Sequence, residues 1–211
     1  MSHNKTINSR RWLIILVGLF LLMGCAPVCN VDAKLIASNT CTLPCWNGIT
    51  PGVTNQDEAK KILEEMEVKG LGTLYTYPDA MYLRNSNGQQ ILLFENGVVR
   101  IITLASIDNT TLGGLLKCFG KPSGEGDFRF VGGPIFSVHY FDKGLSFIVV
   151  PETNVPPTIM WYAEPNLPPN AEFHVTSDSQ VIIAYLFSEG SIPDSMQTYR
   201  KWEGYGPRSW K

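Results

Sequence analysis

The chain is poor in the groups that do chemistry. Its histidines are His3, His139 and His174, and the first lies in a segment argued below to be a removable leader. There is no Gly-x-Ser-x-Gly nucleophile elbow. There is no P-loop and no complete Gly-x-Gly-x-x-Gly, and Gly124-Glu125-Gly126 reads as a fragment lying in a turn. The acidic residues lack the alternating spacing of a calcium loop. Charged residues make up only 17% of the chain and leave a net charge of −2, which argues against a general nucleic-acid binder. Past the N-terminal region, no apolar run approaches the roughly eighteen residues of a spanning helix. These absences leave no catalytic set, no metal set and no cofactor motif in view.

What is present begins with Trp12 to Met23, an uncharged apolar run behind Lys5, Arg10 and Arg11. A membrane-spanning helix needs about twenty such residues, so the short run behind a basic segment reads as a secretory signal peptide. The other reading is an uncleaved N-terminal anchor. Leu22-Met23-Gly24-Cys25 resembles the lipobox of bacterial lipoproteins, with Met23 where that family usually has a small residue. In that family the chain is cut before the cysteine and the thiol carries a diacylglycerol, with further acylation giving stable anchoring. The resemblance implies a leader over 1–24, lipidation at Cys25, and a protein held by lipid on the extracytoplasmic face of a bacterial membrane. Residues 25–40 then form a tether, and removal of the leader leaves 187 residues. The leader's three basic residues go with it, so the mature chain has a net charge of −5.

Of five cysteines, a lipidated Cys25 leaves Cys29, Cys41, Cys45 and Cys118. In an oxidising compartment four thiols form up to two disulfides, in any of three pairings. Cys41 and Cys45 make the simplest candidate pair, because a loop around Thr-Leu-Pro could bring them together. A zinc site is the weaker reading, since no second cysteine or histidine pair follows at finger spacing. Cys118 lies in an apolar helical pattern and reads as a buried thiol. A nucleophilic pair with His139 is conceivable on paper only.

The periodicity predicts an α+β fold: antiparallel sheet with short helices on one face. Thr54 and Asp57 suggest the start of a helix whose Ala59, Ile62, Leu63 and Met66 share one side. Glu64 and Glu65, with Lys60 and Lys61, fall on its solvated side, where adjacent carboxylates do not face one another. Trp46 and Ile49 read as core plugs beside this helix. Asn87-Gly88 and Asn96-Gly97 between apolar runs predict a three-stranded meander over 81–104. The order then recurs: a helix capped by Asn109 or Thr110, with Leu112, Leu115, Leu116 and Phe119 on one face, ending at Gly120-Lys121-Pro122. Strands follow over 128–131, 135–141 and 145–150. Phe141-Asp142-Lys143-Gly144-Leu145 echoes Phe94-Glu95-Asn96-Gly97-Val98, so the two segments read as a degenerate tandem repeat. The candidate halves are 46–104 and 109–187, within one compact unit over 41–211.

Gly48-Ile49-Thr50-Pro51-Gly52-Val53-Thr54, a helix, and Phe94-Glu95-Asn96-Gly97-Val98 resemble envelope lipoproteins of the SmpA/OmlA (BamE) type. Leu116 to Pro122 followed by Phe141 to Leu145 resembles the same pattern again. The β-lactamase-inhibitor-protein fold has tandem units of this helix-and-meander kind. The resemblance covers about 46–150 and implies a protein-binding role without an active site. It carries over no binding residue.

Beyond 150 the chain is proline-rich. Residues 158–163 suggest an edge strand, and 173–176 with 181–187 suggest a hairpin. The run Val181 to Phe187 is apolar on both faces and should lie centrally in a sheet. Ser191 and Pro193 suggest a helix to about Trp202. The tail interleaves Tyr199, Trp202, Tyr205 and Trp210 with Arg200, Lys201, Arg208 and Lys211. It is a candidate binding surface for anionic headgroups, glycan or a protein partner; the alternative is a tail folded back over a sheet edge. His139 and His174 each fall in a strand pattern and read as satisfied sheet residues. Two functions stand: a non-enzymatic binding or assembly lipoprotein with an envelope partner, or a lipid-anchored hydrolase whose site would gather a histidine and an acid.

Overall fold

The computed structural model describes residues 43–86, 88–130, 133–153, 172–188 and 199–208. Cys25, Cys29, Cys41, Trp210, the proposed strand over 158–163 and most of the proposed helix after Ser191 lie outside them.

Helix α1 spans Gln56–Val68 and strands β1 to β4 follow at Thr73–Thr76, Ala80–Asn85, Gly88–Glu95 and Val98–Ala105. Helix α2 spans Leu112–Phe119 and precedes β5 to β7 at Gly124–Phe130, Gly133–Tyr140 and Leu145–Val150. Short strands β8 (Glu152–Thr153), β9 (Phe173–Val175) and β11 (Gly206–Arg208) bracket the long β10 (Gln180–Phe187). The large sheet has eight strands in the order β1-β2-β3-β4-β10-β7-β6-β5, with every neighbouring pair antiparallel. A small sheet runs β11-β9-β8. The fold is therefore α+β, with helix then meander occurring twice.

Strand β10 joins the two meanders. It pairs with β4 from Ile183–Ala105 to Phe187–Ile101, and with β7 on its other side. Its apolar character on both faces suits that central place. The expected hairpin between 173–176 and 181–187 does not form: β9 pairs with β8 and β11 instead.

The helices form where expected, with caps one residue later. Asn55 accepts from the Glu58 N–H at 2.9 Å, and the Glu58 carboxylate returns to the Asn55 N–H at 3.3 Å. Thr54 is not the cap because its hydroxyl already accepts from the Thr50 N–H at 2.8 Å. Thr111 caps α2 through the Gly114 N–H at 3.2 Å. Both helices cover one face of the large sheet. Ala59 and Leu63 from α1, and Leu112 and Leu115 from α2, join Met81, Leu92, Ile102, Phe136, Phe147 and Leu186 in one buried cluster that includes Trp46 and Ile49.

The sequence echo between the two meanders does not extend to turn geometry. Asn96 and Gly97 have φ of 53° and 76°, as a two-residue hairpin turn demands. Phe141–Lys143 instead forms a 3₁₀ turn closed by a left-handed Gly144 at φ 60°. Strand β5 also begins earlier than expected, because Gly124-Glu125-Gly126 is its first part and not a turn.

Candidate binding face

Among the described residues, no helix lies on the second face of the large sheet. Its composition follows from the register. Tyr75 of β1 stands opposite Tyr82 of β2, which pairs with Ile91 of β3 and so with Thr103 of β4. Thr103 faces Tyr185 of β10, and the row continues through Ser146 to His139 and Gly124. Alternation places Leu93, Ile101 and Phe187 on the same side, two residues along.

This face is open at one end and sealed at the other. Toward β1, Tyr75, Tyr77 and Leu93 are 46%, 52% and 39% exposed. Tyr82, Ile91, Ile101, Ile183 and Tyr185 are half-buried. Tyr77 meets Tyr82 edge-on with ring centroids 5.3 Å apart. Burial raises the Tyr185 phenol above its ordinary pKa, so the ring stays neutral at physiological pH. Toward β7, Phe141 packs on Phe187, with Ile101 and Tyr185 against them.

At the sealed end sits His139, 1% exposed. Phe141 stacks on its ring at 5.1 Å, and Tyr199 approaches edge-on at 6.3 Å. Its Nε2 lies 2.9 Å from Ser137 Oγ and its Nδ1 lies 2.8 Å from Ser146 Oγ. Ser137 donates its own hydroxyl proton to the Gly126 carbonyl at 3.1 Å, so it must accept from Nε2–H. With the ring neutral near pH 7, as its lowered pKa requires, Ser146 donates to Nδ1. Burial holds its pKa near 4, against an ordinary 6.5. Both serines are 0% exposed, so this Ser-His-Ser chain is closed off from solvent. It satisfies buried polar groups.

The neutral ring has a pH consequence. The unfolded chain takes up a proton between pH 6.5 and about 4 that the folded chain refuses. The stabilisation is complete above pH 6.5 and is lost as pH falls through that window, by at most ~3 kcal/mol. Urea unfolding of wild type at pH 7 and pH 4.5 should show this loss. The Ser137→Ala/His139→Phe/Ser146→Ala variant, which removes the polar groups together, should show a smaller pH dependence. An equal loss in both proteins contradicts this role for His139.

His174 lies in the small sheet, with Nε2 3.5 Å from Glu172 Oε2, and joins no cluster with His139. Among the described residues, no group of three or more His, Cys, Asp or Glu could hold a metal. Within the same residues, no helix is long and apolar enough to cross a membrane. Cys45 is buried and disulfide-bonded. Cys118 is half-buried and disulfide-bonded, which corrects the expectation of a buried free thiol and removes it as a nucleophile. The pairing of Cys41 with Cys45 remains a proposal, because Cys41 lies outside the described residues.

No family model, curated protein or solved structure matches the chain. What the protein can do is therefore read from its geometry.

That geometry redistributes the aromatic tail. Trp202 is 8% exposed and packs on Phe136 at 6.0 Å and Tyr205 at 6.2 Å, so it belongs to the core and not to an exposed surface. Tyr199, 43% exposed, packs on Phe141 at 4.6 Å as part of the seal over His139. Only Tyr205, at 48%, keeps a comparable exposure, and Trp210 lies outside the described residues. Residues 199–202 are not helical, and Arg200 forms an isolated antiparallel bridge with Glu125. Arg200 and Glu125 exchange two backbone hydrogen bonds of 2.8 Å. The Arg200 Nε lies 2.8 Å from the carboxylate of Glu125, which is 0% exposed, and the Glu203 N–H donates to it at 3.1 Å. Gly124 makes room for this strap, since a Cβ there would lie 2.6 Å from the Tyr199 ring. The sequence reading missed the open face entirely. Its signal was the apolar residues on both sides of β3, β4 and β10, more than one helical layer can cover.

Proposed function

We propose that this is a lipid-anchored envelope protein that works by binding a partner on the open face of its large sheet, without catalysis. The observation that carries the reading is the contrast along that face. Tyr75, Tyr77 and Leu93 are exposed beside half-buried Tyr82, Ile91 and Tyr185, while the buried histidine chain is sealed under Phe141 and Tyr199. Aromatic and aliphatic groups of this kind form the energetic centres of protein interfaces. A catalytic histidine needs access to substrate and a pKa near working pH, and His139 has neither.

The anchor is the part of the proposal that the lipobox supports. Mass spectrometry of the protein from native membranes should find an N-terminus at Cys25 carrying acyl mass. An intact Met1 in that fraction contradicts it. The binding face is tested by placing a photo-crosslinking amino acid at position 93 and, as a control, at Lys60 on the exposed side of α1. In intact envelopes position 93 should give a discrete adduct and position 60 none. Absence of an adduct at 93, or equal adducts at both, contradicts the reading.

A further inference from the structure

We propose that the free edge of β1 is where a partner's chain adds to the large sheet as an extended strand, and that Glu67 selects a strand carrying a basic residue. The inference rests on the binding reading above and names the class of partner: a polypeptide segment in β conformation with lysine or arginine beside apolar residues.

The two edges of the sheet are not alike. At β5 the edge is engaged at Glu125 by the backbone of Arg200. At the other end, among the described residues, β1 pairs with β2 alone, and Thr73, Tyr75 and Thr76 are exposed. The direction of the β1 amides follows from two hydrogen bonds. Tyr77 N–H donates to the Ala80 carbonyl at 2.8 Å, so odd-numbered residues turn their backbone toward β2. Leu74 N–H donates to Glu67 Oε1 at 2.8 Å, so even-numbered residues turn outward. The outward set is the N–H and C=O of Leu74 and Thr76. An isolated edge of this kind takes main-chain hydrogen bonds from an added strand.

Glu67 stands where the added strand's carbonyl would stand. It is exposed, comes from the last turn of α1, and meets Leu74 by a side chain that can rotate away. Once displaced, its carboxylate lies beside the new strand and favours a lysine or arginine there. The same charge disfavours a second copy of this chain, since a two-fold β1–β1 pairing brings Glu67 against its own copy. Tyr75 and Tyr77 extend the open face up to the edge, so side chains of the added strand would continue the row of Tyr75 and Tyr82.

The test uses the acylated protein in detergent, or its chain from residue 26 if the disulfides form and it is folded by circular dichroism. The probe is a blocked heptapeptide, Thr-Val-Lys-Val-Thr-Val-Thr, with a counterpart in which alanine replaces lysine. Amide NMR should show the peptide shifting and protecting Leu74 and Thr76 before any residue of β5. Thr76→Pro removes an outward N–H without removing a β1–β2 bond and should weaken binding at least about tenfold. Glu67→Gln leaves β1 untouched and should erase a preference for the lysine peptide of roughly two- to fivefold. Three results overturn the proposal: no effect at Leu74 and Thr76 at millimolar peptide, undiminished binding to folded Thr76→Pro, or protection of both amides by self-association without peptide. The position-93 adduct separates this from the functional reading. If the adduct persists unchanged in Thr76→Pro, the edge proposal fails and the face reading stands; if wild type gives no adduct, the face reading fails.

Discussion

Deleting residues 199–211 should unfold the protein, not merely strip a binding tail from it. The deletion uncovers Phe136, takes Trp202 from the core, and removes the guanidinium and N–H that satisfy the buried Glu125 carboxylate. Losing a buried tryptophan costs about 3–5 kcal/mol. Removing both partners of the Glu125 carboxylate adds about 2–3 kcal/mol, less than in a fully buried pair because Arg200 is 43% exposed. Against a total stability of about 5–15 kcal/mol, the two together are disabling. Arg200→Ala alone should cost less, about 2 kcal/mol, because Arg200 is 43% exposed and water replaces part of its field. Chemical denaturation of the two variants checks the ranking. A truncated chain that melts with wild-type cooperativity contradicts the strap.

The tail shows where local sequence ceases to inform. Its alternating aromatic and basic residues have the composition of a surface, and nothing nearby in sequence reveals that Glu125 is their counterpart. Glu125 lies in Gly-Glu-Gly, which has the composition of a turn; it is a strand because its backbone pairs with β6 on one side and Arg200 on the other. Likewise β10 was legible as a central strand from its apolar run, but not its neighbours, since β4 and β7 are joined to it by distant pairing. The elements legible from sequence were those whose causes are local. Helix α1 follows from its apolar period and polar start, and the Asn96-Gly97 hairpin follows from two residues that tolerate positive φ. The capping residue was missed by one position because Thr54 spends its hydroxyl on Thr50. His139 was legible as a sheet residue, and its two serine partners follow once the register of β6 on β7 is known.

The second large effect concerns the open face. Tyr82→Asp with Leu93→Asp places two carboxylates among Tyr75, Ile91 and Tyr185, on a surface that is exposed or half-buried and away from the core under the helices. Stability should fall by no more than about 1–2 kcal/mol, because both sites retain access to water. Binding should fall much further, since a charge in the desolvated centre of an apolar interface costs about 2–4 kcal/mol or more, a loss of roughly 30- to 1,000-fold.

The most direct measurement is complementation of a deletion strain by two folded, membrane-located variants side by side. One is Tyr82→Asp/Leu93→Asp, which alters the open face and leaves His139 intact. The other is Ser137→Ala/His139→Phe/Ser146→Ala, which removes the buried histidine chain and leaves the face intact. Binding through the sheet predicts that the first behaves as the deletion and the second as wild type. The reverse, function kept with a charged face and lost with the histidine chain, contradicts the account.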